Sequence, residues 1–190
     1  MKTKEIVFAV ALILAGNGLL AQDKMKVDAK KSSVEWQGKK IGGKHHGMIQ
    51  LESGFFEIQG NKMSGGTFVI DMSSITNLDL KDEGTNQKLV GHLKSDDFFG
   101  VEKYPTATFV LSESSDFVNG KATVTGEITI KGNTEKISFD VMKEGEAYTA
   151  KVEIDRSKFD VRYGSKSFFD NLGDRAINDI FTLDIKLVVS

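Results

Sequence analysis

From Ala122 to Ile154, apolar and polar residues alternate with a period of two, and the alternation pauses only at glycine-bearing turns. Ala122, Val124, Gly126, Ile128 and Ile130 fall on one side, and Thr123, Thr125, Glu127 and Thr129 on the other. After Gly132-Asn133 the apolar side continues with Ile137, Phe139 and Val141, and after Gly145 with Tyr148, Ala150, Val152 and Ile154. Strict alternation places one set of side chains on a buried face and the other in water, which is the signature of half-buried strands. Three such strands joined by tight turns commit this part of the chain to an antiparallel meander.

The same reading extends outward. Val34, Trp36 and Gly38 share a side within Ser32 to Lys40, and Gly42-Gly43 breaks that strand. Ile49 and Leu51 begin the next apolar side, but past Ser53-Gly54 the parity flips to Phe56 and Ile58. Such a flip means a bulge or a new strand, because side chains alternate faces along a regular strand. Phe68 and Ile70 mark another strand, Ala107, Phe109 and Leu111 another, and Phe181, Leu183, Ile185, Leu187 and Val189 the last. Asn119-Gly120 is a hairpin turn signal. No stretch holds a sustained helical period. About eight strands joined mostly by short turns predict an all-β fold, and closure would remove the open edges. The expected architecture is therefore a closed antiparallel β-barrel of about eight strands with one short insertion; a sandwich is the alternative.

The insertion is Leu89 to Phe109. Leu89 and Leu93, four apart, share one face of a short helix that cannot stand alone in water. Phe98-Phe99 and Pro105, the chain's one proline, follow. Pro105 suits the first residue of a strand, where a missing N–H does little harm. The segment reads as a lid over one end of the barrel.

Residues 1–21 read as a cleavable secretion signal. Lys2 and Lys4 precede the apolar run Ile6 to Leu14, and cleavage is expected after Ala21, although Leu19 is large for its place. The run is shorter than the ~20 residues that span a bilayer, and without cysteine there is no lipoprotein anchor. Residues 22–190 then form one domain in an expected periplasmic or secreted setting. The signal removes two lysines and one glutamate, so 23 basic and 26 acidic residues remain, a net charge of −3. That balance argues against a nucleic-acid partner. A chain without cysteine has neither disulfides nor thiol chemistry, so its core alone must hold it.

Eight strands enclose a space that is either filled by side chains or able to hold one slender ligand. The inward candidates are Trp36, Ile49, Phe56, Phe68, Ile70, Phe109, Gly126, Ile128, Phe139, Val141, Phe181 and Leu183, with Phe98 and Phe99 from the lid. Small inward residues, Gly38, Gly47, Ala107, Gly126 and Ala150, either leave room for a ligand or fit the taper of a packed core, and alternation does not decide between these. If Gly126 leaves room, Gly126→Trp should block loading and spare the barrel.

Catalytic signals are sparse. Adjacent His45 and His46 would point to opposite faces of a strand and so not share a metal. His92 would meet Asp96 only if the helix ran that far, with Ser95 and Asp97 nearby; otherwise it is a hydrogen-bonding residue that holds the lid to the rim. There is no phosphate-binding glycine loop and no zinc-ligand spacing. Asp155-Arg156 would steer an anionic head group or, more simply, form a surface ion pair. The rivals to a ligand carrier are therefore a metal-binding or hydrolytic protein built on His92, and a filled barrel acting through its surface.

The run Gly91-His92-Leu93-Lys94-Ser95-Asp96-Asp97-Phe98-Phe99, followed by Lys103 to Phe109, resembles the signature of the YceI-like lipid/polyisoprenoid-binding family. Ser33-Val34-Glu35-Trp36 with Gly38, Gly47, Gly66-Thr67-Phe68, Asp71 with Ser74-Ile75, Gly126 to Thr134 and Ile154 to Phe159 resemble further family motifs in the same order. The resemblance implies a lipocalin-like barrel, often dimeric, that carries an isoprenoid or similar amphiphile, with no cofactor and no catalysis, and in many members export to the periplasm. It supplies no polar signature for the ligand's head group.

Overall fold

The structure is a computed structural model and describes residues 23–190; the expected signal and its cleavage point lie outside the described residues. Nine strands run in chain order: β1 Asp23–Lys26, β2 Ser33–Lys40, β3 Gly43–Gln59, β4 Lys62–Asp71, β5 Thr106–Ser114, β6 Lys121–Ile130, β7 Asn133–Glu144, β8 Ala147–Asp155 and β9 Ile180–Val188. Among the described residues the single α-helix, α1, is Glu83–Lys94. Every pairing is antiparallel, and β2 through β9 form one sheet that closes where β3 meets β4. The result is the expected closed eight-stranded barrel. The ninth strand, β1, which alternation did not reveal, lies along the far half of β3, with Asp23 opposite Ile58 and Lys26 opposite Phe55.

The parity flip in β3 is a bulge. Leu51 faces Ile70 and Ser53 faces Val69, so Glu52 is the extra residue. Inward side chains before it are Ile49 and Leu51, and after it Phe56. The bulge lets one 17-residue strand serve two neighbours, β2 along its first half and β1 along its second.

The two ends of the barrel differ. One, here the lower, carries the short turns β3–β4, β5–β6 and β7–β8 and both chain ends of the barrel. The upper carries the two long connections, residues 72–105 and 156–179. Tight turns follow their residues: Asn119 and Gly120, like Lys131 and Gly132, sit at positive φ, as hairpin turns of this length require. The upper strand ends of β4 and β8 stop the same way. Asp71 accepts from the Ser73 amide (2.8 Å) and hydroxyl (2.6 Å). Asp155 accepts from the Ser157 amide (3.0 Å) and hydroxyl (2.6 Å). Each carboxylate turns the chain from strand into a short 3₁₀ turn.

Upper β3 has no barrel strand on its β4 side, because β4 ends opposite Gln50. Residues 74–79 cover that edge instead. The Thr76 amide donates to Met48 O and the Leu78 amide to His46 O, each at 2.9 Å. The Gln50 amide donates to the Ser74 hydroxyl at 2.7 Å. An otherwise open edge is thereby satisfied. The chain approaches so closely that a Cβ on Gly47 would lie 1.9 Å from Thr76 O.

Candidate functional site

The barrel interior holds two apolar chambers, each with a cavity volume of about 110 Å³. Val34, Ile70, Ile128 and Leu183 line both, so the chambers meet at a waist of branched side chains. Of the sequence candidates, Phe56, Phe68, Phe109, Phe139 and Val141 line the lower chamber, and Trp36, Ile49, Phe98, Phe99 and Phe181 the upper. Ile70, Ile128 and Leu183 form the waist. Tyr148 and Thr149 are the lower chamber's two lining residues with a hydroxyl; Arg156 and Asn178 are the polar ones of the upper. Such space offers water too few partners to hold it and suits a hydrocarbon.

Gly126 lines neither chamber. It faces inward, but the Phe109 ring lies over it: a Cβ there would stand 2.6 Å from that ring and 2.4 Å from Val110 O. The space at Gly126 is already filled, so Gly126→Trp would displace backbone and cannot spare the barrel. Gly38 is different. It lines the upper chamber, and the nearest atom to an added Cβ is 4.0 Å away on Trp36.

The lower end is closed by its own side chains. Phe56 is fully buried, and its ring meets Tyr148 edge-on at 4.8 Å. The upper end is closed by the two long connections. Helix α1 is capped by Asp82, whose carboxylate accepts from the Thr85 amide (2.8 Å), and it ends at Ser95. Leu93 and Phe98 are buried, and with Phe99 they roof the upper chamber, as expected of a lid. Met72 and Ile75 also line it; their segment has no strand alternation to reveal them.

His92 does not meet Asp96, because the helix ends first. Its ring packs edge-on against Phe98 (5.8 Å) and Tyr163 (4.3 Å), and its buried Nε2 has no hydrogen-bond partner among the described residues. It joins the lid to residues 156–179 by ring packing rather than by the expected hydrogen bond. Ser95 Oγ donates to His92 O (2.7 Å) and so helps end the helix. Nothing in this arrangement activates a nucleophile.

His45 and His46 sit on β3 and diverge. His45 Nδ1 lies 2.8 Å from Asp79, and His46 Nδ1 lies 2.9 Å from Glu35. Among the described residues no three His, Asp or Glu side chains stand close enough together to hold a metal. Burial by itself would raise the Asp79 pKa. The His46 amide, the His45 ring and the Asn77 amide outweigh it and hold the carboxyl at about 2, down from 3.8. A carboxyl depressed on folding adds stability that is complete above its ordinary value and vanishes as the pH falls toward about 2. Asp79→Asn should therefore cost on the order of 1 kcal/mol at pH 7, after allowing for partial exposure, and should flatten the acid limb of stability below about pH 4. Urea midpoints across that range check this; an acid limb identical to the parent's would place the cause elsewhere.

Arg156 is not a surface residue. It is 2 % exposed, among the most buried side chains of the protein. Its Nε donates to Asn178 O (3.1 Å), one terminal nitrogen to Val161 O (2.8 Å) and Tyr163 O (2.9 Å), and the other to Ile177 O (3.1 Å). Asp179 lies 3.2 Å away, and the guanidinium packs over the Phe98 ring. Burial lowers its pKa, and the Asp179 and Asp155 carboxylates push back. With every donor nitrogen engaged by main chain, it organises the upper connection and does not wait for a head group. No sequence pattern distinguished it from an exposed arginine.

The chain matches the family model described as YceI-like domain over residues 25–189. A UPF0312 protein of Pseudomonas putida F1 is 26 % identical over 142 residues, covering 74 % of this chain and 71 % of that protein. A UPF0312 protein of Staphylococcus aureus USA300 is 31 % identical over 124 residues, 62 % of this chain and 64 % of its own. Among solved structures, Burkholderia cenocepacia BcnA aligns with a TM-score of 0.64 at 26 % identity, over 86 % of this chain and 99 % of that one. A polyisoprenoid binding domain from Saccharophagus degradans, implicated in plant cell wall breakdown, aligns with a TM-score of 0.59 at 15 % identity, over 87 % and 97 %. A two-chambered apolar barrel under a helical lid, matched from its first described strand to its last, makes this chain a member of the YceI-like family.

Proposed function

We propose that the protein binds one long-chain isoprenoid or similar amphiphile inside its barrel and carries or sequesters it without catalysis. The observation that carries this reading is the pair of apolar chambers meeting at a waist: a filled core needs neither, and a slender chain would thread both. Each CH₂ moved from water into them contributes about 0.8 kcal/mol before ordering costs. Family membership and the binding named for the Saccharophagus degradans domain support the lipid class. The basic start and short apolar run of residues 1–21 support export to the periplasm or beyond as the setting. Dimerisation, common in the family, belongs to the same proposal.

The test is native mass spectrometry of protein purified without detergent from the compartment that receives it. An added mass of a few hundred daltons, lost on denaturation, is the expected result; a clean unliganded mass, unchanged after incubation with prenyl lipids, would sink the reading. A variant sharpens it. Gly38→Leu should fill the upper chamber with little loss of stability, reduce bound ligand at least tenfold, and favour shorter chains in what remains. Undiminished loading of the same ligand would mean that the chain does not reach the upper chamber.

A further inference from the structure

The sheet is not equally sewn all round. Nine residue pairs join β8 to β9 and ten join β6 to β7, but only four join β7 to β8, from Val141–Ala150 down to Glu144–Ala147. Above Val141, no ladder links the two strands. The 3₁₀ turn Arg156–Phe159 packs against β7 and covers part of the gap, with Phe159 and Val161 buried. Between that turn and the last ladder pair, Ile137 and Phe139 remain only partly buried although they face inward.

The gap reaches the cavity. Thr149 points outward by its place on β8, between inward Tyr148 and Ala150, yet it lines the lower chamber. Thr149, Ala150 and Ile185 also line a groove on the outer face of the barrel. The same three residues therefore bound the interior on one side and solvent on the other. The groove's walls are polar: Lys121 pairs with Asp140 at 2.7 Å, and Lys151 with Asp184 at 3.2 Å. In contrast, the lower end is plugged by aromatic rings and the upper by the lid and the main chain held by Arg156.

We infer that the seam between β7 and β8 is the portal through which an apolar chain passes sideways into the lower chamber, its polar end staying in the groove outside. This rests on the proposed lipid binding and adds its route. Opening there requires few ladder hydrogen bonds to break, whereas opening the upper end requires the lid or the Arg156 network to come apart. Sideways passage also suits an amphiphile, because the polar end never has to cross the apolar interior.

The absence of cysteine makes the test clean. Thr149→Cys puts a single thiol at the seam. Ile41→Cys puts one at the upper end, on a half-exposed hairpin beside Ile177 and Asn178, the residues that part the upper chamber from solvent. Each variant is labelled with a bulky polyethylene-glycol maleimide, and exchange of a fluorescent polyprenyl alcohol is timed before and after. The label on Thr149→Cys should slow exchange at least ~10-fold, and prebound probe should protect that thiol from labelling; the label on Ile41→Cys should change the rate less than ~2-fold. Unchanged exchange with the seam label, or equal slowing by both, would overturn the portal. Unlabelled protein that takes up no probe at all would instead overturn lipid binding itself.

Discussion

Arg156→Leu is expected to lower the free energy of unfolding by about 3–5 kcal/mol, the cost of breaking a buried pair by removing one partner. Leucine fills part of the volume but donates nothing, so the carbonyls of Val161, Tyr163, Ile177 and Asn178 lose their donors and Asp179 loses its counter-charge. Buried acceptors without donors are costly one by one, and here several are orphaned together. The damage should be local first. Amides of residues 160–179 should exchange with solvent much faster than those of β6, and the upper chamber should lose its Ile177–Asn178 wall. Arg156→Lys should recover less than half of the loss, because one ammonium cannot serve carbonyls arranged around a planar fork. Chemical denaturation with hydrogen exchange measures both effects. A leucine variant with the parent's midpoint would show that the upper connection is held by its other contacts.

Gly47→Ala should cost about 3 kcal/mol, although it adds one methyl group in a strand. Its Cβ would lie 1.9 Å from Thr76 O and 2.9 Å from the Asn77 Cα, and both are main chain that cannot rotate away. Overpacking of this kind forces the backbone apart. Residues 74–79 should lift off β3, breaking the Thr76–Met48 and Leu78–His46 hydrogen bonds. The event has its own reporter. Trp36, the chain's one tryptophan, lies opposite Gly47 and donates its indole N–H to Thr76 O at 3.0 Å. Its fluorescence should shift to the red in the folded variant. Gly38→Ala, two residues along β2 from Trp36, makes the control: with its nearest neighbour at 4.0 Å it should stabilise by about 0.5 kcal/mol, as glycine-to-alanine changes do where the backbone permits them. Equal effects at the two positions would refute the close-approach argument.

These two residues also mark how far the sequence could be read. Alternation along β2 and β4 to β9 specified strand count, faces and inward residues, because side-chain direction in a strand follows from position alone. Phe56, Phe139 and Leu183 therefore stand inside as parity required, and the Glu52 bulge was legible as a break in parity. Capping by Asp71 and Asp155 is local chemistry as well. By contrast, β1 carries no alternation strong enough to announce a strand and is held by its place beside β3. Gly38, Gly47 and Gly126 look alike as letters. One borders open space, one has a neighbouring main chain against it, and one lies under the Phe109 ring, and each circumstance comes from residues distant in sequence.

What the sequence by itself determined is thus the run of antiparallel strands, which side chains face inward and where the insertion falls, since all three follow from short-range periodicity and turn chemistry. Only the tertiary structure decided the role of Arg156, the packing of His92, the division of the interior into two chambers and the unladdered seam between β7 and β8. Those depend on which main-chain groups meet across long separations, and on how a closed sheet of unequal strands distributes its hydrogen bonds.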